Sequence, residues 1–322
     1  MSDGKNDMDR EMYQWISVLV RNKPAQTTKR KIVPVGQRVM SRYSCGYVSN
    51  NCLIFSADDK RRLRQQIIAE LGLDPFTTEQ LPADRLEMAQ YHANEKLAGK
   101  PASHDQLLLN SVDGMLRINN VEIPLHPQSI ASAGLLCLSS GIETIQHRTI
   151  VVIENLAIMP LCHSWQIPCI DPQALWVYRG DYKSGAKARA CRDFVDRFGA
   201  DKTVIVFSDM DPKGLEIALT MPHADYWMGP EQAVWRTCLQ SRLANREGFD
   251  RQNSALIYLE RLSVERSLSM ALTELITVMK AERSSFRQEH MLSRKVELAL
   301  FAVTARPWDK RADNRSLTEF TD

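Results

Sequence analysis

The sequence predicts an α/β protein: a parallel sheet covered by helices on both faces, spanning residues 146–232, preceded by an α+β region and followed by helices. Three observations carry this. Four runs, TIVVIEN, ALWVYRG, TVIVFSD and ADYWMG, are apolar without a polar alternate face. Helical patterns, AKARACRDFVDRFG and PKGLEIALTM, separate the second run from the third and the third from the fourth. Strands buried on both faces and alternating with helices build a parallel sheet. Before residue 146 the texture differs, with helical patterns interleaved with short β-rich pairs.

Taken in order, residues 9–22 read as a helix capped by Asp9, with Met12, Ile16, Val18 and Leu19 as its apolar stripe. GYVSNNCLIF sets two β-rich runs around Asn50-Asn51, a hairpin pattern, and MLRINNVEIPL repeats it around Asn119-Asn120. Between them DDKRRLRQQIIAELGLD reads as a capped helix ending at Gly72, and ADRLEMAQYHANEKLAG as another. Helices, short hairpins and basic residues together match a winged-helix module, so residues 1–145 are expected to contact DNA. In the sheet region, Ala190, Phe194, Val195 and Phe198 form the apolar side of the helix before the third strand. Residues 255–283 carry one long helical pattern with Leu262, Leu268, Leu272, Leu275, Ile276 and Met279 on its apolar side, suited to packing on the sheet or to a dimer. The expected division is 1–145, 146–232, 233–305 for a C-terminal helical region, and 306–322 for a flexible tail.

Composition narrows the function classes. With 41 basic and 39 acidic residues the formal charge is only +2, so affinity for nucleic acid has to come from local clusters. Such clusters are Lys29-Arg30-Lys31, Lys60-Arg61-Arg62 with Arg64, and Arg306, Lys310, Arg311 and Arg315. Seven scattered cysteines without a CxxC pair argue against a disulfide framework or a structural zinc site, and Cys162, His163 and Cys169 fit no common metal spacing. No apolar run approaches the ~20 residues of a membrane span, and MSDGKNDMDREM lacks a signal pattern. The expectation is a cytoplasmic protein without a membrane partner.

In parallel sheets chemistry collects at the carboxyl ends of the strands. Here the first ends in Glu154-Asn155, the second in Arg179-Gly180-Asp181 and the third in Ser208-Asp209-Met210-Asp211. Side chains two apart on a strand share a face, so Asp209 and Asp211 project together if the extended backbone continues. Adjacent carboxylates raise each other's pKa unless a cation lies between them, and hard oxygen donors suit Mg2+ or Mn2+. Glu154 would be the third donor. The competing reading makes Asp211-Pro212 a helix cap with a first-turn proline. GDYKSGAK, residues 180–187, has the glycine spacing of a phosphate loop, but Ala186 stands where lysine is needed and no Ser or Thr follows, which argues against an ATPase. Lys183 is still suited to face a phosphate.

Glutamate after one strand, a glycine loop after the next and Asp-x-Asp after the third resemble the Toprim domain of topoisomerases, bacterial-type primases and overcoming-lysogenization-defect nucleases. VVIENLAIM, VYRGDYKSGA, FSDMDPKGLEIA and ADYWMG are similar to the Toprim domain of the JetD-type nuclease subunits of Wadjet plasmid-defence systems, themselves similar to the topoisomerase VI A subunit. SSFRQEHM, residues 284–291, resembles a Gln-Glu segment near the end of that family. The resemblance implies a Toprim-like (Rossmann-like) sheet and metal binding by Glu154, Asp209 and Asp211, with Glu289 added. It further implies Mg2+- or Mn2+-dependent hydrolysis of DNA phosphodiesters, in which Lys213, directly after the Asp pair, neutralises phosphate ahead of Lys183 or Arg179. The implied partners are DNA, a second copy in a homodimer, and other subunits of a bacterial complex defending against plasmids or phage, an SMC-like ATPase assembly if the system is Wadjet-like. The pattern departs at Ser208, where the family often has glycine, and at Met228-Gly229-Pro230, where an acid usually ends the fourth strand. Three readings compete: a catalytically silent nucleic-acid-binding or assembly subunit, a topoisomerase-like protein using Tyr43 or Tyr47 of SRYSCGY, and a small-molecule phosphotransferase.

Overall fold

Asp9 opens the first helix of the computed structural model as expected: its Oδ1 accepts the Met12 N–H at 2.8 Å. The structure describes residues 8–91, 97, 99, 103–125, 132–162, 170–181, 186–265 and 267–304. The chain divides into two units, Met1–Ala102 and Ser103–Asp322.

The first unit contains α1 (Arg10–Arg21), β1 (Thr28–Lys31), α2 (Pro34–Tyr43), β2 (Tyr47–Ser49), β3 (Cys52–Phe55), α3 (Ala57–Leu71) and α4 (Arg85–Ala89). Met12, Ile16 and Leu19 of α1 are buried, whereas Val18 stays 42% exposed because its position falls outside that stripe. Asn50 and Asn51 both take left-handed backbone in the β2–β3 turn, and β1 joins on the other edge of β3, giving the antiparallel order β1-β3-β2. A reciprocal cap between Ser56 and Asp59 starts α3, and Gly72 at φ +67° ends it. The helix expected over ADRLEMAQYHANEKLAG is present as α4 alone, and residues 92–96 lie outside the described ones. The basic cluster of α3 is neutralised locally: Arg61, Arg62 and Arg64 pair with Asp58, Asp59 and Asp74. Lys60 is buried, donating to Asn22 O, Lys23 O and Thr28 Oγ1. Lys29 and Lys31 of β1 remain exposed.

The second unit contains β4 (Gln106–Ser111), β5 (Met115–Ile118), β6 (Val121–Pro124), β7 (Leu135–Leu138), β8 (Thr149–Ile153), β9 (Leu175–Tyr178), α5 (Ala188–Phe198), β10 (Thr203–Phe207), α6 (Pro212–Thr220) and β11 (Ala224–Pro230). It continues with α7 (Trp235–Gln240), α8 (Arg246–Asp250), α9 (Asn253–Val264), α10 (Met270–Glu282), α11 (Gln288–Ser293) and β12 (Leu298–Ala302). Seven strands form one mixed sheet in the order β12-β11-β10-β8-β9-β4-β7. The central four are parallel, as predicted; β12 and β4 run antiparallel to them on either side, and β7 pairs antiparallel with β4 at the edge. β4 and β7 come from before residue 146, so the division lies at 102–103 and not at the expected 145. The segment after 232 is not purely helical, since β12 pairs with β11. The long helix expected over 255–283 is two, α9 and α10: Ser267 folds back to Leu262 O through both its N–H and its hydroxyl, and Ser269 caps α10. Residues 306–322, the expected tail with its basic cluster, lie outside the described residues.

All of β8 and β9 is buried. Removing side chains such as Ile150, Val152 and Val177 from water stabilises the sheet by about 1.5–3 kcal/mol each. From β8 the chain passes to β9 on one side; β10 then pairs on the other side of β8 and leads away to β11. The connections therefore leave the carboxyl ends of β8 and β10 in opposite directions, which opens a crevice there.

Candidate functional site

Glu154 and Asp209 meet at that crevice. The Glu154 N–H continues the ladder to Phe207 O at 3.1 Å, and Glu154 Oε2 accepts the Asp209 N–H at 3.1 Å. Beyond β10 the backbone stays extended because Met210 exchanges both backbone hydrogen bonds with Phe286, at 2.9 and 3.0 Å. Asp211 is also extended, so the two aspartates share a face with buried Met210 turned the other way. Asp209 Oδ1 accepts the Gln288 N–H at 2.8 Å. Asp211 caps a helix, as the competing reading of its sequence has it. Its Oδ1 caps α6 through the Gly214 N–H at 2.6 Å, with Pro212 at the first turn, and its Oδ2 accepts Gln252 Nε2 at 2.7 Å. Gln252 Oε1 in turn accepts the Lys213 N–H at 2.8 Å.

Two small residues permit this turn. A Cβ on Gly214 would lie 2.1 Å from Asp209 O, so α6 approaches the strand end this closely only through glycine. Ser208 is fully buried, donating to Gly214 O at 2.9 Å and accepting the Trp227 indole N–H at 3.0 Å. The hydroxyl at the departure from the family pattern is thus spent tying β10 to α6 and β11. At the end of β11, Met228-Gly229-Pro230 pairs with Leu300, Ala299 and Leu298 of β12.

The crevice carries uncompensated negative charge. Burial, then repulsion from Glu154, Asp211 and Glu289, pushes the Asp209 carboxyl up to about 7 against the one hydrogen bond from Gln288. Burial and Asp211 also raise Glu154, against the Asp209 N–H and the charges of Arg179 and Lys213. Glu289 stands in the first turn of α11, and its buried Oε2 has no hydrogen-bond partner among the described residues. Glu154, Asp211 and Glu289 are therefore each within electrostatic reach of Asp209. Lys213 is turned outward, 57% exposed, with Nζ 2.6 Å from Glu216. Lys183, with Ser184 and Gly185, lies outside the described residues, as do His163 and Cys169.

The donor chemistry fits a divalent cation: hard carboxylates, two of them driven toward protonation by mutual repulsion and burial, and one orphaned oxygen. Among the described residues, no group of three or more His, Cys, Asp or Glu side chains is drawn together closely enough to hold an ion. In this arrangement both Asp211 oxygens, Asp209 Oδ1 and Glu154 Oε2 accept hydrogen bonds from the protein.

Other nucleophiles are poorly prepared. The Tyr43 O–H donates to Glu70 Oε2 at 2.7 Å, and burial with that carboxylate raises its pKa, the reverse of activation. Burial pushes the thiols of Cys45 and Cys137 up to about 11 and that of Cys191 to about 12. Tyr47 is exposed on β2. No helix among the described residues is long and apolar enough to cross a membrane.

Sequence reading missed Gln252 as a contributor. It lies 41 residues from Asp211 in the chain and stands out by no local pattern. Gln288 falls in the quoted SSFRQEHM, but its backbone role toward Asp209 was not foreseeable from composition.

A family model described as "Domain of unknown function (DUF7281)" matches residues 104–300, more than half of the chain and most of the second unit. No curated protein matches the chain.

Proposed function

We propose that this chain, which belongs to the DUF7281 family, is a metal-dependent DNA endonuclease with a Toprim-like sheet, akin to the JetD-type subunits of plasmid-defence complexes. The observation that carries the reading is the crowding of Glu154, Asp209 and Asp211, with Glu289 beside them, at the carboxyl ends of two adjacent parallel strands where the connections diverge. The central order β11-β10-β8-β9 sets the first and third of the parallel strands side by side, so the acids that follow them face one crevice. Folding gains nothing from so much like charge in one place, and such convergence marks functional sites.

In this reading Glu154, Asp209 and Asp211 hold Mg2+ or Mn2+, with Glu289 as a further donor. The bound ion supplies a polarised phosphate and an activated water. The chain's own residues do the rest. Gln252 and the α6 cap orient Asp211, the Gln288 N–H orients Asp209, and the Met210–Phe286 pairing keeps both carboxylates at the lip of the sheet. The first unit, with its β2–β3 hairpin and exposed Lys29 and Lys31, is proposed as a winged-helix-like DNA contact. The chain is proposed to act as a homodimer with further subunits, including an SMC-like ATPase assembly if Wadjet-like, in the cytoplasm of a bacterium.

The test is nicking or linearisation of supercoiled plasmid with Mg2+ or Mn2+. Wild type should cleave, and Asp209→Ala and Asp211→Ala should each lower the rate by at least about 100-fold, a typical loss for groups that stabilise transition-state charge. Equal cleavage by the variants sinks the reading. Inactivity of the wild type, alone and with its genomic neighbours, favours the silent assembly subunit.

A further inference from the structure

Arg179 is the first residue past β9, and it stands beside Glu154 because Ile153 and Tyr178 are in register on neighbouring parallel strands. Its N–H donates to Ile153 O at 2.8 Å, which fixes its backbone at the crevice. Gly180 follows at φ +85°, where a Cβ would meet Lys187 C at 2.4 Å, so the chain turns sharply away immediately after the arginine. The side chain is withdrawn, 27% exposed, yet its buried Nε has no hydrogen-bond partner among the described residues. The nearest carboxylate oxygen, Glu154 Oε1, is 3.9 Å from a terminal nitrogen, beyond hydrogen-bond reach. Arg117 in the same unit is withdrawn to 21% exposure and by contrast pairs with both Asp113 and Glu122. A buried donor left unsatisfied forfeits the solvation it had in water without a bond in return. A fork held by its backbone at the mouth of a site, with Glu154 as a distant ion-pair partner and no hydrogen-bond acceptor among the described residues, is shaped for an acceptor from outside. Lys213, the cation expected to meet phosphate, is instead solvent-facing and engaged by Glu216.

We propose that Arg179 is the phosphate-binding residue of this site, its guanidinium taking the non-bridging oxygens of one phosphodiester. This deepens the nuclease reading and rests on it for the identity of the substrate. Arginine suits the task because its planar fork matches two phosphate oxygens at once and never loses its proton. The contact also relieves the crevice, since the arginine draws a polyanionic substrate toward a cluster that would otherwise repel it.

The test uses the full chain in EDTA and a probe with a single phosphodiester, the dinucleotide thymidylyl-thymidine, titrated by phosphorus NMR. Wild type should bind in the millimolar range, Arg179→Ala should weaken binding by about tenfold or more, and Arg179→Lys, which keeps charge but loses the fork, by about threefold. Arg189→Ala, removing an exposed arginine from α5, should stay within about twofold of wild type. Thermal melts check folding, and if the alanine variant does not fold, the lysine variant decides. Arg179 variants that bind like wild type overturn the assignment, as does a loss confined to Lys213→Ala or a wild type that binds nothing. Cleavage is scored separately. A wild type that fails to cut plasmid with Mn2+, alone and with its genomic neighbours, but binds the dinucleotide through Arg179 refutes the nuclease reading and leaves the phosphate site standing.

Discussion

Replacing Asp209 by asparagine should make the metal-free protein more stable at pH 8. The reasoning starts from a carboxyl whose ordinary value of 3.8 is raised to about 7 by burial and by Glu154, Asp211 and Glu289. A raised carboxyl binds its proton in the folded state where the unfolded chain has released it, so stability falls as pH climbs from 3.8 to about 7 and the full penalty is present above that window. At about 1.4 kcal/mol per pH unit the window corresponds to about 4 kcal/mol. Because the repulsion is shared among several carboxylates and the side chain keeps partial contact with water, about half of it, some 2 kcal/mol, is assigned to this residue. Asparagine removes the charge and keeps an oxygen for the Gln288 N–H. For a unit of this size the gain corresponds to a melting shift of about 4–8 °C. The assay is a thermal melt of wild type and Asp209→Asn in EDTA at pH 8 and pH 4.5, then with Mn2+ at pH 8. The gain should be largest at pH 8, mostly vanish at pH 4.5, and shrink with Mn2+, which stabilises only the wild type. A variant no more stable than wild type at pH 8, or one whose advantage is equal at both pH values, would refute the reasoning.

Three further outcomes are expected. Gln252→Ala removes the partner of Asp211 Oδ2 and of the Lys213 N–H, and should cost about 1–2 kcal/mol in urea denaturation while lowering plasmid cleavage more than Asn253→Ala does. Ser208→Gly, which restores the residue the resembled family often has, should be destabilising by about 1–3 kcal/mol, because it strands the Trp227 indole N–H in the core; the near-ultraviolet signal of that tryptophan reports it. In the first unit, burial works against Asp59, but the Ser56 hydroxyl and N–H with Arg62 outweigh it and hold the carboxyl down at about 2. That stability is present above 3.8 and is lost as pH falls through about 2, so Asp59→Ala should lower the amide protection of α3 by about 2 kcal/mol at pH 7 and hardly at all at pH 2.

The parts of this molecule that were legible in the sequence are those whose cause is local. The four parallel strands were legible because burial on both faces leaves no polar alternation, and both Asn-Asn hairpins because asparagine tolerates the left-handed backbone they adopt. The edge strands were not. β4 and β7 join the sheet from before the expected boundary, and β12 returns after five helices, pairings that only tertiary contact creates. The break between α9 and α10 was masked by an unbroken apolar stripe, although serines able to bond their own backbone sit at the break.

The same distinction separates the halves of the candidate site. Its acids were visible at the strand ends, but what aims them comes from residues 252 and 286–288. An aspartate that ends a strand and starts a helix is held by its own neighbours at one oxygen only; the second oxygen and the extended link between the two acids need partners from elsewhere. The segment after β11 is therefore part of the site, since Asp211 Oδ2 and Asp209 Oδ1 both find their donors there. A fragment ending at Pro230 would keep the carboxylates and lose their orientation, leaving two like charges at a frayed strand end. In the proposed site the carboxylates would supply the chemistry, and the distant backbone and amides that pin them would determine whether it can be used.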